Sequence, residues 1–256
     1  MCSPPYHRYH GQATFKLDAT VPTPLPTAAQ LKPIETRRLY QQIADQIREL
    51  IQRGNFKPGS KLPPERDLAQ QLGVSRPSLR EALIALDIEA SVEIRSGSGV
   101  YVCTPPERSA KSTAAMGESP TELMQARAAV EGDVVVLACA HVTTEALSRL
   151  RESIEGMRAE IAHGRSPLAH DRQFHLTIAE MSGNSVMVRL VGELFDERHS
   201  PILSHLSVRF ENTRTWNAAM KEHEAVYRAL ESRDPLAAQS ALRSHLKASE
   251  ERWVGG

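Results

Sequence analysis

The chain has 256 residues, 41% of them hydrophobic, with 31 basic (Lys+Arg) and 31 acidic (Asp+Glu) side chains. This length accommodates two domains with packed cores, and the even charge excludes a chain coated in basic residues, so any contact with nucleic acid must rest on local placement of arginine. Aromatics at 5% argue against stacking platforms for single strands, no apolar run reaches membrane-span length, and Cys2, Cys103 and Cys139 form no CxxC pair, so a reducing cytoplasm is expected.

Residues 1–33 carry Pro4, Pro5, Pro22, Pro24, Pro26 and Pro33 among scattered Thr, Ser and Ala, with no apolar stretch of the secretory-signal kind. A disordered arm is expected there; its His7, Arg8, His10 and Lys16 could touch DNA or simply be solvated. Residues 34–104 have strong helix and turn punctuation. Residues 105–120, rich in Pro, Ser, Ala and Gly, read as a linker, and residues 121–253 show only helical periodicity.

In the first domain, Leu39, Ile43, Ile47, Leu50 and Ile51 recur at helical spacing and Gly54 follows as a terminator. A second helix begins near Pro63-Pro64, with Leu68, Ala69 and Leu72 inward and Gly73 at its end. Ser75 can cap a third helix, which runs to about Ile88 with Leu79, Ala82, Leu83 and Leu86 inward. A helix, a short Gly turn and a capped helix make a helix-turn-helix. Val92-Glu93-Ile94 and Val100-Tyr101-Val102, joined by Arg95-Ser96-Gly97-Ser98-Gly99, add a β-hairpin wing.

Arg76 and Arg80 stand one turn apart on the face of the third helix, with Ser75 and Ser78 beside them. A helix N-terminus favours phosphate, and arginine meets guanine O6 and N7 with two parallel bonds. Arg66 starts the second helix, where it can hold a phosphate. The plainer alternative pairs these arginines with Glu65, Asp67 or Glu81 at the surface. Three arginines on a winged helix-turn-helix favour the major groove of double-stranded DNA.

The run GSKLPPERDLAQQLGVSRPSLREAL resembles the DNA-binding domain of the GntR family of bacterial regulators. That resemblance implies operator contacts at Arg66, Arg76, Ser78 and Arg80 and at the wing tip, Ser96 and Gly97, with Ser75 and Arg95 beside them. One departure stands out. Ala90-Ser91 occupies the positions where the family has Gly and a bulky apolar residue, so a looser junction between recognition helix and wing is expected.

In the second domain helical segments follow one another. The first runs from Thr121 to about Ala140 and carries Leu123, Ala126, Val130, Val134 and Leu137. Thr143 or Thr144 caps the second, a third spans about Pro167–Met181, and a fourth about Ser185–Ser207. A fifth spans about Thr215–Ser232 and the last starts at Asp234-Pro235. The architecture expected is mostly α: a winged helix-turn-helix followed by an all-α antiparallel bundle.

Asp171 and His175 are one turn apart, and His223 and His245 sit on the fifth and last segments. One carboxylate and three imidazoles suit Zn, Ni or Mn with positions left open, although pairs of His at this spacing also arise by chance among ten histidines. DRQFHLTIAEMSGN and KEHEAVYRALESRDPLAAQSALRSHL are similar to the FCD effector domain of the FadR-type GntR subfamily. The resemblance implies that Asp171, His175, His223 and His245 ligate a divalent ion at an effector pocket. It also implies an Arg near a bound acid, here Arg127, which could equally form a surface pair with Glu131; Asn184 could orient a ligand or cap a helix.

The function expected is a homodimeric, cytoplasmic transcription regulator, a repressor whose operator binding responds to a small organic acid. Sugar acids such as hexuronates come first, because RRLYQQIADQIREL looks most like regulators of uronate use, with lactate, glycolate or a dicarboxylate as rivals. From another class comes a metal-dependent hydrolase with a DNA-binding head, though Asp-x-x-x-His places no Glu as general base. A purely structural metal is the third reading.

Overall fold

The computed structural model describes residues 38–95, 97–104 and 116–254. The expected arm, Ser96 and most of the expected linker lie outside the described residues. Residues 37–256 form one compact unit.

Three helices, α1 (Leu39–Gln52), α2 (Glu65–Leu72) and α3 (Arg76–Ile88), precede the hairpin β1 (Val92–Arg95) and β2 (Gly99–Val102). The strands are antiparallel, with Val92 opposite Val102 and Ile94 opposite Val100. Residues 59–62 run beside β2: Gly59 and Leu62 donate to the carbonyls of Val102 and Val100, both at 2.8 Å. Ile43 and Ile47 of α1, Leu68 of α2, and Leu79, Leu83 and Leu86 of α3 bury the core that fixes the third helix under the wing. Tyr40 replaces Leu39 in that core. Leu39 is 47% exposed and Tyr40 only 1%, because the phenol donates to the carbonyl of Gly117 (2.9 Å) beyond the linker.

The second domain is all helical: α4 (Pro120–Cys139), α5 (Thr144–Ala162), α6 (Leu168–Met181), α7 (Ser185–Asp196), α8 (Pro201–Phe210), α9 (Thr213–Glu231) and α10 (Pro235–Val254). The caps are those the sequence offers. The Thr143 hydroxyl accepts from the Ala146 amide (3.1 Å), and Asp234 accepts from Leu236 (3.1 Å) and Ala237 (3.0 Å). The single helix expected over Ser185–Ser207 is instead two, with a 3-10 turn at Glu197–His199 between them. Pro201 has no amide to continue the ladder, and it pushes Ser200 into an extended conformation (φ −62°, ψ 152°).

α10 packs on α4 and α9, and α5 on α6 and α9. The inward face of α4 departs from the apolar pattern. Ala126 and Leu137 are exposed, whereas Arg127 and Glu131 are almost wholly buried beside Leu123, Met124 and Val135. α4 thus turns a charged pair into the middle of the bundle, facing α6.

Candidate functional site

On the head, Ser75 caps α3: its hydroxyl accepts from the Ser78 amide (3.2 Å) and lies 2.8 Å from the Ser78 hydroxyl. Arg76 is exposed and bonds nothing among the described residues. Arg66 is also open, its side chain 83% exposed and 3.2 Å from Asp67. Arg95 lies over the Tyr101 ring (4.4 Å) and pairs with Glu93 at 2.7 Å. Gly97 turns the wing tip with φ +70°. Arg80 is different. Its guanidinium is held by Glu65 (2.8 Å) and donates to the main-chain carbonyl of Val254 (3.1 Å).

In the helical domain, α6, α9 and α10 bring Asp171, His175, His223 and His245 together, each offering one ligand atom within 4.8 Å of the others. All three rings are at most 4% exposed. The Nδ1 of His175 faces Glu131 of α4, and the Nδ1 of His245 faces Glu222 of α9 at 2.8 Å. With its proton on Nδ1, each ring donates outward to a carboxylate and turns a bare Nε2 inward. His223 Nε2 lies 2.9 Å from Asp171 Oδ1, and His175 Nε2 lies 3.6 Å from the same oxygen. Neither approach makes a hydrogen bond: Asp171 Oδ1, His175 Nε2 and both nitrogens of His223 are buried with no hydrogen-bond partner. Buried polar atoms left this way cost roughly 1–3 kcal/mol each, and their convergence on one point is the arrangement a cation would satisfy.

The electrostatics differ among the four: burial opposes protonation of His175, but Glu131 and Asp171 outweigh it and raise its pKa. Burial alone would raise the Asp171 pKa, but His175 and His223 outweigh it and hold the carboxyl well below its usual range. Burial, then His223, pushes His245 down to about 3, so it is neutral, as a ligand must be. Burial opposes ionisation of Glu131 as well, yet Arg127 and His175 hold it at about 2. The Arg127–Glu131 bond (2.7 Å) is therefore not a surface pair; both side chains are at most 3% exposed.

A cavity opens on the cluster, with Asp171, His223 and His245 at its floor and Arg198, Arg252 and Trp253 in its walls. No motif or spacing pointed to these wall residues. Arg198 lies 3.5 Å from Asp171, bonds Glu211 at 2.7 Å and stacks 4.9 Å from the Trp253 ring. Arg252 grips both oxygens of Glu222 (2.8 and 3.0 Å), the carboxylate that orients His245. Arg127 stands behind the cluster rather than in the cavity wall, with one terminal nitrogen, Nη2, buried and unpartnered. Asn184 is not brought here. It is exposed and caps α7, accepting from Val186 at 3.0 Å.

A winged helix-turn-helix with open arginines, joined to a helical domain that encloses a polar cavity, defines a DNA-binding transcription regulator. Residues 39–102 match the model of bacterial regulatory proteins of the gntR family, and residues 122–248 match the FCD domain. The Uxu operon transcriptional regulator of Escherichia coli K12 is 32% identical over 225 residues, covering 85% of this chain and 88% of that protein. The Exu regulon transcriptional regulator of the same organism is 34% identical over 218 residues, 83% of each chain. The solved Streptococcus agalactiae GntR aligns over 83% of this chain and 99% of its own at 25% identity, with a TM-score of 0.45. The chain belongs to the GntR family and carries an FCD domain. Its relatives are regulators, which sets the hydrolase reading aside. Among the described residues no helix is long and apolar enough to cross a membrane.

Proposed function

We propose that this regulator acts in the cytoplasm as a homodimeric repressor on a pseudo-palindromic operator, and that a sugar acid bound at a divalent metal in the helical domain weakens its grip. The observation that carries the reading is the set of buried, unpartnered donor atoms of Asp171, His175 and His223, with His245 beside them, at the floor of an arginine-walled cavity. One carboxylate oxygen and three imidazole nitrogens fit Zn, Ni or Mn. When bound, such an ion supplies a Lewis-acid partner for a ligand carboxylate. The chain's own residues do the rest. Glu131 and Glu222 fix the ring orientations, and Arg198 and Arg252 meet oxygens of the acid from the cavity wall. Arg127 keeps Glu131 ionised, and its unpartnered Nη2 is the donor left for a carboxylate that reaches past the cluster.

On DNA, Arg76 and Arg80 would read bases in the major groove, with Ser75, Ser78 and Arg66 on phosphates and Arg95, Ser96 and Gly97 at the wing tip. A hexuronate is the acid we assign first, in keeping with relatives named as Uxu and Exu regulators. The test is a titration of operator duplex with galacturonate and glucuronate, on metal-loaded and chelator-treated protein. Loss of the acid response on chelation is expected. An acid response that survives complete metal removal sinks the metal-sensor reading, and unfolding on chelation with no acid response in the loaded protein selects a structural metal.

A further inference from the structure

The cavity and the reading head share two pieces of chain. The first is the last turn of α10, where three successive residues have three different attachments. Arg252 holds Glu222 and through it His245, Trp253 walls the cavity against Arg198, and the Val254 carbonyl accepts from Arg80 at 3.1 Å. The second is α8. Its last residue, Phe210, lines both the cavity and a groove beside the wing that Arg80, Ile84 and Ile94 also line. One position earlier, Arg209 donates to the Ile94 carbonyl of β1 (2.6 Å) and reaches Asp87 of α3 (3.5 Å). One turn back, His205 Nε2 lies 3.0 Å from the same Asp87 carboxylate. Asp87 in turn accepts from the Ile94 amide at 3.0 Å, tying α3, β1 and α8 at one carboxylate.

Arg80 is thereby occupied from two sides. Glu65 takes its Nε and one terminal nitrogen, Val254 takes the other, and the side chain is only 18% exposed. An arginine held this way does not present a free fork to guanine, whereas Arg76, one turn away, does.

We propose that α8 and the last turn of α10 form an inhibitory clamp on the reading head, holding Arg80 in a state of low operator affinity. Operator DNA competes with the Val254 carbonyl and Glu65 for that guanidinium. The part played by acid rests on the acid site proposed above. An acid held between the cluster and Arg252 and Trp253 stiffens the last turn of α10 where it stands, favours the clamped state, and by linkage lowers operator affinity.

The test uses the full chain and an operator duplex selected by the protein from a random DNA pool. In the double variant His205→Ala, Arg209→Ala the acid-free operator Kd should fall on the order of fivefold or more. The effect of galacturonate on that Kd should shrink, while the thermal shift produced by galacturonate persists. Because Arg209 is itself a cation, Asp87→Asn, which removes the ion pairs with His205 and Arg209 without removing positive charge, must also tighten binding. Unchanged or weaker operator binding in Asp87→Asn with native helix content overturns the clamp. At low salt, the gain must vanish when Arg80→Ala is added; a gain that survives removes Arg80 from the mechanism. If wild type shows no thermal shift with any sugar acid, the acid site fails, while the acid-free Kd still decides the clamp.

Discussion

Ala90 holds φ +57°, the left-handed conformation that closes α3. The Ser91 amide donates to Leu86 (2.9 Å) and the Ala90 amide to Asp87 (3.0 Å), so the helix ends in a Schellman motif with a methyl group where glycine is favoured. A Cβ there costs roughly 1–2 kcal/mol. Ala90→Gly should recover about 1 kcal/mol of this and raise Tm by roughly 2–4 °C in a calorimetric scan. Arg127 is a second single-residue case. Removing one partner of a buried ion pair strands the other, so Arg127→Met should destabilise by roughly 3–5 kcal/mol in urea unfolding. Glu81 of α3 is buried and accepts from the Thr121 amide (2.9 Å) and the Ser119 hydroxyl (2.8 Å) at the start of α4. Burial raises its pKa above the ordinary 4.5 despite those bonds. The folded state therefore binds this proton more readily than the unfolded chain. That contribution is complete below about pH 4.5 and is lost as pH rises through the folded pKa. Glu81→Gln should be more stable than wild type at pH 7, with the gap closing on acidification, as read by denaturant midpoints.

α9 and α10 matter as a pair because each contributes one histidine and α9 also supplies the carboxylate that aims the other. His223 and Glu222 are sequence neighbours, yet Glu222 acts on His245 across the helix interface. Glu222→Ala should leave helix content intact and weaken divalent-metal binding by roughly 10–100-fold in chelator competition, the usual effect of losing an outer-shell partner. An unchanged metal affinity would show that Glu222 orients nothing. The break at Pro201 is the other lesson at this scale. Periodicity reads straight through residues 185–207, because apolar spacing continues across the proline. The missing amide decides that α8 is a separate helix, free to lie against the head rather than extend α7.

At the scale of the whole molecule, the two domains share one apolar core and are tied further by polar contacts: Arg38 with Glu118, Tyr40 with Gly117, Glu81 with Ser119 and Thr121, and Asp87 with His205 and Arg209. Operator binding should follow the exposure of the arginines. Arg76→Ala should lose roughly 1–3 kcal/mol and relax base preference at one position of each half-site, measured by competition among operator variants. Arg66→Ala should weaken all sequences alike and reduce the salt slope by roughly 0.9.

Much of this was legible in the residues. Ser75, Gly73, Thr143 and Asp234 mark helix ends by local chemistry, and local chemistry is present in the linear chain. Asp171 and His175 declare a shared face because helical spacing is fixed by the backbone. The distant His223 and His245 joined them as candidates through ligand chemistry and then family resemblance, and the bundle brought all four together. What no spacing rule could supply were contacts between residues far apart in the chain: Glu131 behind His175, Arg198 and Arg252 in the cavity wall, and Arg80 bound to the carbonyl of Val254. Arg127 and Glu131 show why. Hydrophobic periodicity assigns charged residues to the surface, whereas burial here is supported by a partner charge on the next turn and a histidine on another helix. The sequence by itself determined most of the elements, their caps and the chemistry available. The tertiary structure alone decided which charges leave water, because that depends on partners that only folding brings within reach.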